Sequence, residues 1–480
     1  MGIIVKKGDM MNFNEYIDAV ARNMLNCEDL IVYKSKRDDC DIGLVFIRGI
    51  TSRDYIAERI LRPIKKADFS SFSGDFSELI ESPFLSLSTT PENDASSIVK
   101  GDVLVLVGKG GRLFKTLSNA AMSHTRAVSE PSSDVTVRGP KAGFVEDAET
   151  NISLIRRYIR TSELRTERLS VGSVSQTKLM LCYIEGRADA ELVSSIRDKL
   201  ARIDASVITD SANIAFLLEG RKNAIFPSCG SSEKVDKVAS KIMAGRVAIV
   251  VDGSPFVLTL PFLFIEGLQA SDDYLHTPYY ATFIRLLRLF AFVAAIFAPA
   301  VLCAVINHNP HVMPYEFYGI IIDSRKDIPL SFFWEIMAIL LLFELLREVG
   351  VRMPRTVGDA VGIVGSIILG NTAVEAGIVS SVGVITVALA AVCAFITPAY
   401  MYFIVLARLV ALISAELFGV WGIAISALIL FLMLCFKRSF SYYYLQPIIP
   451  FSKSGMLDFV LCYPKKTLGR REDLKKEKKG

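Results

Sequence analysis

A glycine-dense apolar run lies directly after the end of an apolar helix in the second half of this chain. Residues 344–377 read ELLREVGVRMPRTVGDAVGIVGSIILGNTAVEAG, so Pro354 separates an arginine-bearing helix end from a run that contains Asp359 and Glu375. An isolated carboxylate at the centre of a bilayer costs about 2.5–3.5 kcal/mol. The run therefore predicts a membrane segment that protein or water shields from lipid, at an aqueous path or a subunit boundary.

The apolar residues are distributed unevenly along the chain. The 480 residues are 51% hydrophobic, and the mean hydropathy of +0.40 exceeds that of ordinary soluble proteins. Residues 1–285 carry charges at globular density, whereas residues 286–436 hold nearly all of the long uncharged runs. The N-terminus lacks the apolar core of a secretory signal. These features predict a cytoplasmic N-terminal half followed by an α-helical polytopic membrane domain.

Basic residues at the ends of the uncharged runs indicate their orientation. Leu289–Ile306 has 18 residues without a charge, about 27 Å as a helix, and Arg285 and Arg288 precede it. The tail from residue 437 carries eleven Lys and Arg against four Asp and Glu, a net charge of +7. Such tails lie beside anionic headgroups in the cytoplasm. With both ends inside, the number of crossings must be even.

Five apolar segments can be counted, so one of them is not a simple span. We choose residues 357–375 as this exception, because the segment is the shortest and the richest in glycine. That choice places Arg408 outside, which disagrees with the positive-inside rule. The alternative has six crossings, with residues 409–436 folded as a hairpin at Gly419-Val-Trp-Gly422.

Strand-length apolar runs alternate with amphipathic helices in the first 270 residues, which predicts two α/β subdomains. In the second subdomain, helices between strands predict crossover connections and a partly parallel sheet. Gly108-Lys-Gly-Gly111 lacks the phosphate-loop pattern and predicts a hairpin turn. The helix that begins near Glu146 carries Arg156, Arg157 and Arg160 toward its end. These arginines complement the helix dipole, or alternatively contact the membrane surface or a partner.

The residues that metal sites and enzymes require are not arranged for either. The eight cysteines form no C-x-x-C pair, and Pro310 lies between His308 and His311, which disfavours a shared metal. We recognise no nucleophile with its base and no paired catalytic carboxylates. The sequence therefore predicts neither an enzyme nor a cofactor site.

The glycine-dense run supplies the candidate functional residues. Asp359 and Glu375 are the strongest, although either could pair with Arg352 or Arg355; Glu335, Glu344 and Glu416 are weaker candidates. By helical spacing, one face is formed by Val361, Val364 and Ile368, as a hydrophobic gate or as a buried core face. Close helix packing is predicted for small residues, namely Gly358, Gly362, Gly365 and Gly370.

Several motifs give the chain a recognisable resemblance. These are RGPKAGFVE at 138–146 with TNISLIRR at 150–157, RVAIVVDGSPF at 246–256, SDDY at 271–274, and the stretch after Glu344. From about residue 126 to residue 421 the chain resembles the A subunits of the GerA family of spore germinant receptors, which include the related stage V sporulation protein AF branch. Which of the two branches applies stays open.

This resemblance implies an inner-membrane subunit of a dormant spore that assembles with a transporter-like B subunit and a lipoprotein C subunit. It also implies homo-oligomers around a pore that releases cations when nutrients bind. The alternatives are a secondary transporter and a non-conducting scaffold. The expected parts are two cytoplasmic α/β subdomains at 1–140 and 141–270, a transmembrane helical domain at 271–436, and a basic cytoplasmic tail at 437–480.

Overall fold

The computed structural model describes most of the chain, in two units. The described residues are 11–25, 27–37, 40–67, 69, 75–77, 79–82, 84–110, 112–122, 131, 139–220, 226–270, 272–273, 276–352 and 370–451. Among them, residues up to 220 and residues 228–262 form the first unit, and residues 226–227 and 263–451 form the second, which we call the helical unit.

The first sheet of unit 1 has five strands. They are β1 (Leu30–Arg37), β2 (Cys40–Ile47), β3 (Leu85–Leu87), β4 (Asp102–Lys109) and β5 (Arg112–Asn119). The order is β1-β2-β4-β5-β3, and all neighbouring strands are antiparallel. The predicted turn after β4 is confirmed: Lys109 pairs with Arg112, and Gly110 has a φ of 55°. Glycine adopts this left-handed conformation without steric strain.

Both faces of this sheet are covered by helices. These are α1 (Phe13–Asn23), α3 (Pro91–Ile98) and, between them, α2, which consists of the consecutive segments Arg53–Tyr55, Ile56–Leu61 and Arg62–Lys66. Val103 and Val105 of β4 pack in the core that contains α2, whereas Leu104 and Leu106 pack in the core that contains α1 and α3. Burial on both faces explains why β4 is a continuous apolar run.

The second sheet of unit 1 also has five strands. They are β6 (Leu164–Val171), β7 (Thr177–Ile184), β8 (Gly230–Ser232), β9 (Val247–Val251) and β10 (Val257–Leu260), in the order β6-β7-β9-β10-β8. Its helices are α4 (Ala148–Tyr158), α5 (Ala190–Ala201), α6 (Ser211–Glu219) and α7 (Val235–Met243).

The prediction of a partly parallel sheet is wrong, since every neighbouring pair is antiparallel. Strands β8 and β9 do run in the same direction on either side of α7, as a crossover requires. However, β10 folds back after β9 and takes the position between them. Each of these parallel strands therefore pairs with an antiparallel neighbour.

The Asp-Gly-Ser-Pro turn after β9 fixes the start of α4. The carboxylate of Asp252 accepts a hydrogen bond from the backbone N–H of Ala148 at 3.2 Å, and the N–H of Gly253 donates to the carbonyl of Glu146 at 2.8 Å. Gly253 has a φ of 87°, which favours glycine. This motif is therefore structural, since it satisfies a free N–H at the first turn of a helix.

A buried ion pair joins the two sheets of unit 1. Arg156 of α4 donates to both carboxylate oxygens of Asp29, with Nη2 and Oδ1 2.8 Å apart, and Thr166 of β6 donates to the same oxygen at 2.8 Å. The side chains of Arg156 and Asp29 are 1% and 6% exposed. Arg156 and Arg157 lie in the last turn of α4, as the helix-dipole interpretation predicts, and Arg156 in addition binds Asp29, whereas Arg157 and Arg160 are exposed.

The helical unit is built from long apolar helices. They are α8 (Pro278–His308), α9 (Tyr315–Asp323), α10 (Phe332–Arg352), α11 (Ser381–Phe395) and α12 (Met401–Phe436), with short 3-10 turns at Phe264–Gly267, Pro310–Val312 and Pro398–Tyr400. Residues 370–375 are also helical. Two short strands, β11 (Arg438–Ser439) and β12 (Tyr442–Tyr443), pair after α12.

Helix α12 is a hairpin of two arms that reverses at Gly419. The φ and ψ of Gly419 are 59° and −136°, which are not helical. The ring of Phe226 lies 4.1 Å from that of Phe403 and 5.9 Å from the ammonium of Lys437. A straight helix would separate residues 403 and 437 by about 51 Å. The structure thus has the hairpin that the six-crossing alternative requires.

Contacts between helices give the relative directions of two pairs: α8 with the first arm of α12, and α10 with α11. The first arm of α12 runs parallel to α8, because Phe403 stacks near Phe292 at one end and Glu416 binds Asn307 at the other. Helix α11 runs parallel to α10, since Ser380 contacts Glu335 and the ring of Phe395 lies 6.1 Å from that of Phe343.

Candidate functional site: the polar interior of the helical unit

Ionisable side chains occupy the interior of an otherwise apolar bundle. By length and composition, Pro278–His308 and Pro398–Phe436 are each long and apolar enough to cross a membrane, and Ser381–Phe395 is a shorter apolar helix. Large apolar side chains such as Phe290, Leu389 and Trp421 point outward. Polar groups that such helices turn inward are candidates for function.

Arg408 is fully buried where three helices meet. Its side chain is 2% exposed, and its guanidinium donates to the backbone carbonyls of Ala295 in α8, at 2.7 Å, and Ala390 in α11, at 3.2 Å. In a regular helix the carbonyl of Ala295 would accept from residue 299, but residue 299 is a proline and has no N–H. Arg408 therefore satisfies the carbonyl that the proline leaves free.

A second buried group is Glu335 at the start of α10. It is 0% exposed and accepts hydrogen bonds from the backbone N–H of Ser380, at 2.8 Å, and from the Ser380 hydroxyl. Its other oxygen lies 3.2 Å from Nε of Arg325. A buried carboxylate with a cation and two further donors is compensated. Glu335 therefore joins the starts of α10 and α11 to the loop that carries Arg325.

The Ser-Asp-Asp-Tyr motif supplies a third ionic group at the start of α8. Asp273 is buried and lies 3.3 Å from Nε of Arg285 and 2.7 Å from Nη1 of Arg288. The two arginines are three residues apart, so they lie on one face of the helix. We expected these arginines to mark a cytoplasmic helix end, and the structure shows that both bind a carboxylate.

A cavity of about 670 Å³ lies at the opposite end of α8, beside the α12 hairpin. Its polar lining comes from Asn307, His308, Tyr318, Arg325, Lys326, Ser331 and Glu416. Glu416 accepts a hydrogen bond from Nδ2 of Asn307 at 2.7 Å. Lys326 hydrogen-bonds Asp323, and this bond raises the pKa of its ammonium.

The residues predicted as a pore or gate fall mostly on positions that we do not describe. Asp359, Val361, Val364 and Ile368 lie outside the described residues, and so do Gly358, Gly362 and Gly365. Glu375 is exposed and follows the half-buried Gly370 on the helical residues 370–375. Among the described residues, a Cβ built at Gly370 meets no atom within 4 Å. The roles of all these pore, gate and packing residues stay predictions.

Glu375 stands near the loop that precedes α10. Gly377, two residues later, lies beside Asp327: a Cβ built on the glycine would be 3.7 Å from the Cβ of Asp327. Of the two arginines predicted as its partners, Arg352 binds Glu348 at 2.7 Å instead, and Arg355 lies outside the described residues. Glu375 is thus near polar loop residues at one end of the bundle.

Sequence reasoning missed Arg408 as part of the polar interior. The available signal was an arginine inside one apolar run and a proline inside another, since a helix proline leaves a carbonyl without a donor. Asn307 was missed because a single asparagine near a helix end has many ordinary roles.

Comparison with known proteins gives a consistent family assignment. Residues 18–474 match the family model described as Bacillus/Clostridium GerA spore germination protein. The chain is 34% identical to spore germination protein KA of Bacillus subtilis (strain 168) over 445 residues, 91% of this chain and 81% of that protein. It is 30% identical to the uncharacterized membrane protein YfkQ of the same organism over 470 residues, 96% of this chain and 90% of that protein.

The chain is also similar to a solved structure, the crystal structure of the N-terminal domain of the A subunit of the Bacillus megaterium spore germinant receptor GerK3. The match has 25% sequence identity and a TM-score of 0.39, and it covers 53% of this chain and 96% of that chain.

Proposed function

The chain belongs to the Bacillus/Clostridium GerA spore germination protein family, and from this premise we propose that it is the A subunit of a spore germinant receptor. In this proposal it resides in the inner membrane of the spore, responds to nutrient germinants, and forms or gates an oligomeric channel that releases cations. Its relatives are named as germination proteins, so we assign it no catalytic role.

The geometry of the helical unit supports a multi-pass arrangement. The first arm of α12, residues 401–418, is about 27 Å long, close to the roughly 30 Å of a hydrocarbon core. Exposed aromatic residues lie at both ends of the α12 hairpin. Tyr402 and Phe436 lie at its open end, and Trp421 lies at its turn. Tyr and Trp concentrate at membrane interfaces, and one relative is named a membrane protein.

Six crossings agree with the observed directions. Helices α8, α10 and α11 and the two arms of α12 account for five. Because α10 and α11 run in parallel, we propose that the sixth crossing is made by the chain between them. An even number keeps the basic tail on the same side as unit 1, which we assign to the cytoplasm. This arrangement replaces the four-crossing choice and moves Arg408 into the bundle.

One observation carries the conduction part of the proposal: Glu375 is exposed at the end of the glycine-dense run. A carboxylate exposed at that end of the bundle can face both water and another subunit, as the acidic rings of cation channels do. A ring of subunits that places residues 357–375 around an aqueous path would supply both, with Val361, Val364 and Ile368 as the constriction and the glycines at the helix contacts.

The proposed partners follow from the family. We propose a transporter-like B subunit, a lipoprotein C subunit and further copies of this chain. We also propose that residues 1–140 and 141–270 form two cytoplasmic parts, residues 271–436 the membrane part and residues 437–480 the cytoplasmic tail. No nucleic acid is expected to bind.

Recording of the purified protein in a planar bilayer tests the proposal. Stepwise cation currents, in the presence of the B and C subunits and a germinant, are the expected result. Substrate-coupled flux without steps would indicate a secondary transporter. Neither current nor flux from the complete assembly would contradict conduction and leave a membrane-anchored scaffold.

A further inference from the structure

The cavity beside the α12 hairpin contains the carboxylate of Glu416, which is bound by neutral donors. Glu416 receives hydrogen bonds from Asn307, at 2.7 Å, and from the thiol of Cys303, at 3.5 Å. Among the residues that the structure describes, no Lys or Arg forms an ion pair with it. The carboxylate is half-buried and lines the cavity.

The two cations in the cavity wall already have acidic partners. Arg325 lies 3.2 Å from Glu335, which is fully buried, and Lys326 pairs with Asp323. Each of these pairs is locally neutral. Among the described Asp, Glu, Lys and Arg residues that line the cavity, Glu416 is therefore the one without a partner of opposite charge.

The size and lining of the cavity fit a small ligand. Its volume of about 670 Å³ lies within the range of ligand pockets. Side chains of Ile306, Ile321 and Ile322 provide an apolar wall, while Tyr318 and Ser331 add hydroxyl groups that can orient a ligand. A few polar groups in a partly apolar wall are typical of specific binding sites.

We propose that this cavity binds a small cationic group, held by the carboxylate of Glu416. Asn307 orients the carboxylate and leaves its remaining lone pairs for the ligand. The cationic group comes either from an organic ammonium compound or from an inorganic monovalent cation. This site lies at the α8–α12 contact and does not depend on whether residues 357–375 conduct ions.

The test is a binding titration on the purified full-length protein in detergent micelles. Methylammonium chloride and potassium chloride serve as cationic probes and acetamide as the neutral control, and the thermal midpoint of unfolding is the readout, because a ligand that binds the native state stabilises it. We expect a saturable rise with a cationic probe. Saturation by methylammonium alone identifies an organic ammonium source, and saturation by potassium identifies an inorganic one.

Two variants locate the site. Glu416→Gln keeps an acceptor for Asn307 but removes the charge, and should raise the half-saturating concentration at least about tenfold. Glu348→Gln, at an exposed carboxylate of α10, should leave it unchanged. Equal binding in Glu416→Gln and the wild type, or no saturable effect of either cationic probe, would overturn the proposal.

A third variant covers the case in which Glu416→Gln does not fold, as judged by circular dichroism. Ile322→Trp fills part of the cavity and keeps the carboxylate. It should weaken methylammonium binding several-fold, since the larger side chain occupies the ligand volume. Unchanged binding in this folded variant would place the ligand elsewhere.

Discussion

Nε of Arg408 lies 2.7 Å from the carbonyl oxygen of Ala295, four residues before Pro299. The proline removes the N–H that would donate to this carbonyl within α8. The second guanidinium contact, to Ala390, brings in α11. One side chain thus joins three helices at the point where α8 lacks a backbone hydrogen bond, and this relationship makes a double-mutant test possible.

Replacement of Arg408 should destabilise the helical unit in a way that depends on residue 299. Arg408→Met leaves the Ala295 carbonyl buried without its donor, which costs about 1–3 kcal/mol. In a Pro299→Ala background, the restored N–H can donate to that carbonyl, so the same replacement should cost less. Unfolding of the full chain in micelles measures both values. An equal loss of unfolding free energy in the two backgrounds would refute the pairing of Arg408 with the Ala295 carbonyl. Arg438→Met, at an exposed site, is the control for the loss of a positive charge.

The Asp29–Arg156 pair should be the most sensitive ion pair of unit 1. Removing one partner leaves a buried charge uncompensated, so Asp29→Asn should cost about 3–5 kcal/mol of unfolding free energy. The Arg59–Glu81 pair, whose side chains are 55% and 68% exposed, offers the comparison, and Arg59→Met should cost about 1 kcal/mol or less. Denaturant unfolding of the full chain supplies the two numbers. Similar losses for both variants would mean that burial does not strengthen the first pair.

What could be predicted from the sequence depended on local geometry. The turn at Gly110 and the helix that begins near Glu146 are set by residues close in the chain, through the conformational freedom of glycine and through the order of charges along the helix. The glutamates of the apolar runs could also be selected, because a carboxylate among apolar residues is unusual wherever it lies.

What could not be predicted depended on long-range pairing. Asp29 and Arg156 are 127 residues apart, and no periodicity connects them. The antiparallel pairing of the second sheet was missed because β10 lies between β8 and β9 and pairs with both. The order of the strands along the chain does not reveal this position. Arg408 was placed outside in the four-crossing choice, because its acceptors are backbone carbonyls, which carry no side-chain signature.

The hairpin of α12 predicts a short distance between its ends. Probes attached to unnatural amino acids at Tyr402 and Phe436, both exposed, would be about 51 Å apart in a straight helix. In the hairpin we expect less than about 25 Å, because the neighbouring Phe403 and Lys437 both contact Phe226. Pulsed electron paramagnetic resonance on the full chain measures this distance. A value near that of the straight helix would refute the hairpin.

The same hairpin should depend on Gly419. Its backbone conformation is almost confined to glycine, and a Cβ there would be 3.1 Å from the Cβ of His308. Gly419→Ala should therefore cost about 1–3 kcal/mol and lengthen or broaden the measured distance. Gly350→Ala, where a Cβ meets no described atom within 4 Å, is the matched control and should leave the distance unchanged.

Acidification should weaken unit 1 through Glu167. Burial raises the pKa of this carboxyl, but hydrogen bonds from Tyr183 and Arg197 outweigh burial and hold the pKa below its ordinary value of 4.5. The unfolded chain then binds protons more readily, so this stabilisation is present above pH 4.5 and is lost as the pH falls through the lowered pKa. Glu167→Gln should flatten the fall in unfolding free energy below pH 4.5. An unchanged slope would contradict this role, and Glu163→Gln alters an exposed carboxylate outside the network as a control.

Glu375 should increase cation flux if the glycine-dense run borders an aqueous path. A negative charge at the mouth raises the local cation concentration, so Glu375→Gln should lower cation conductance by about twofold to tenfold at low salt. The difference should shrink toward 1 M salt, where the Debye length falls to about 3 Å. Single-channel recordings at both salt concentrations measure this, with Glu348→Gln as a variant of the same charge change beside Arg352. Equal conductance and selectivity in the Glu375 variant and the wild type would remove this carboxylate from the path, because a charge that permeating cations pass cannot be neutralised without changing their local concentration.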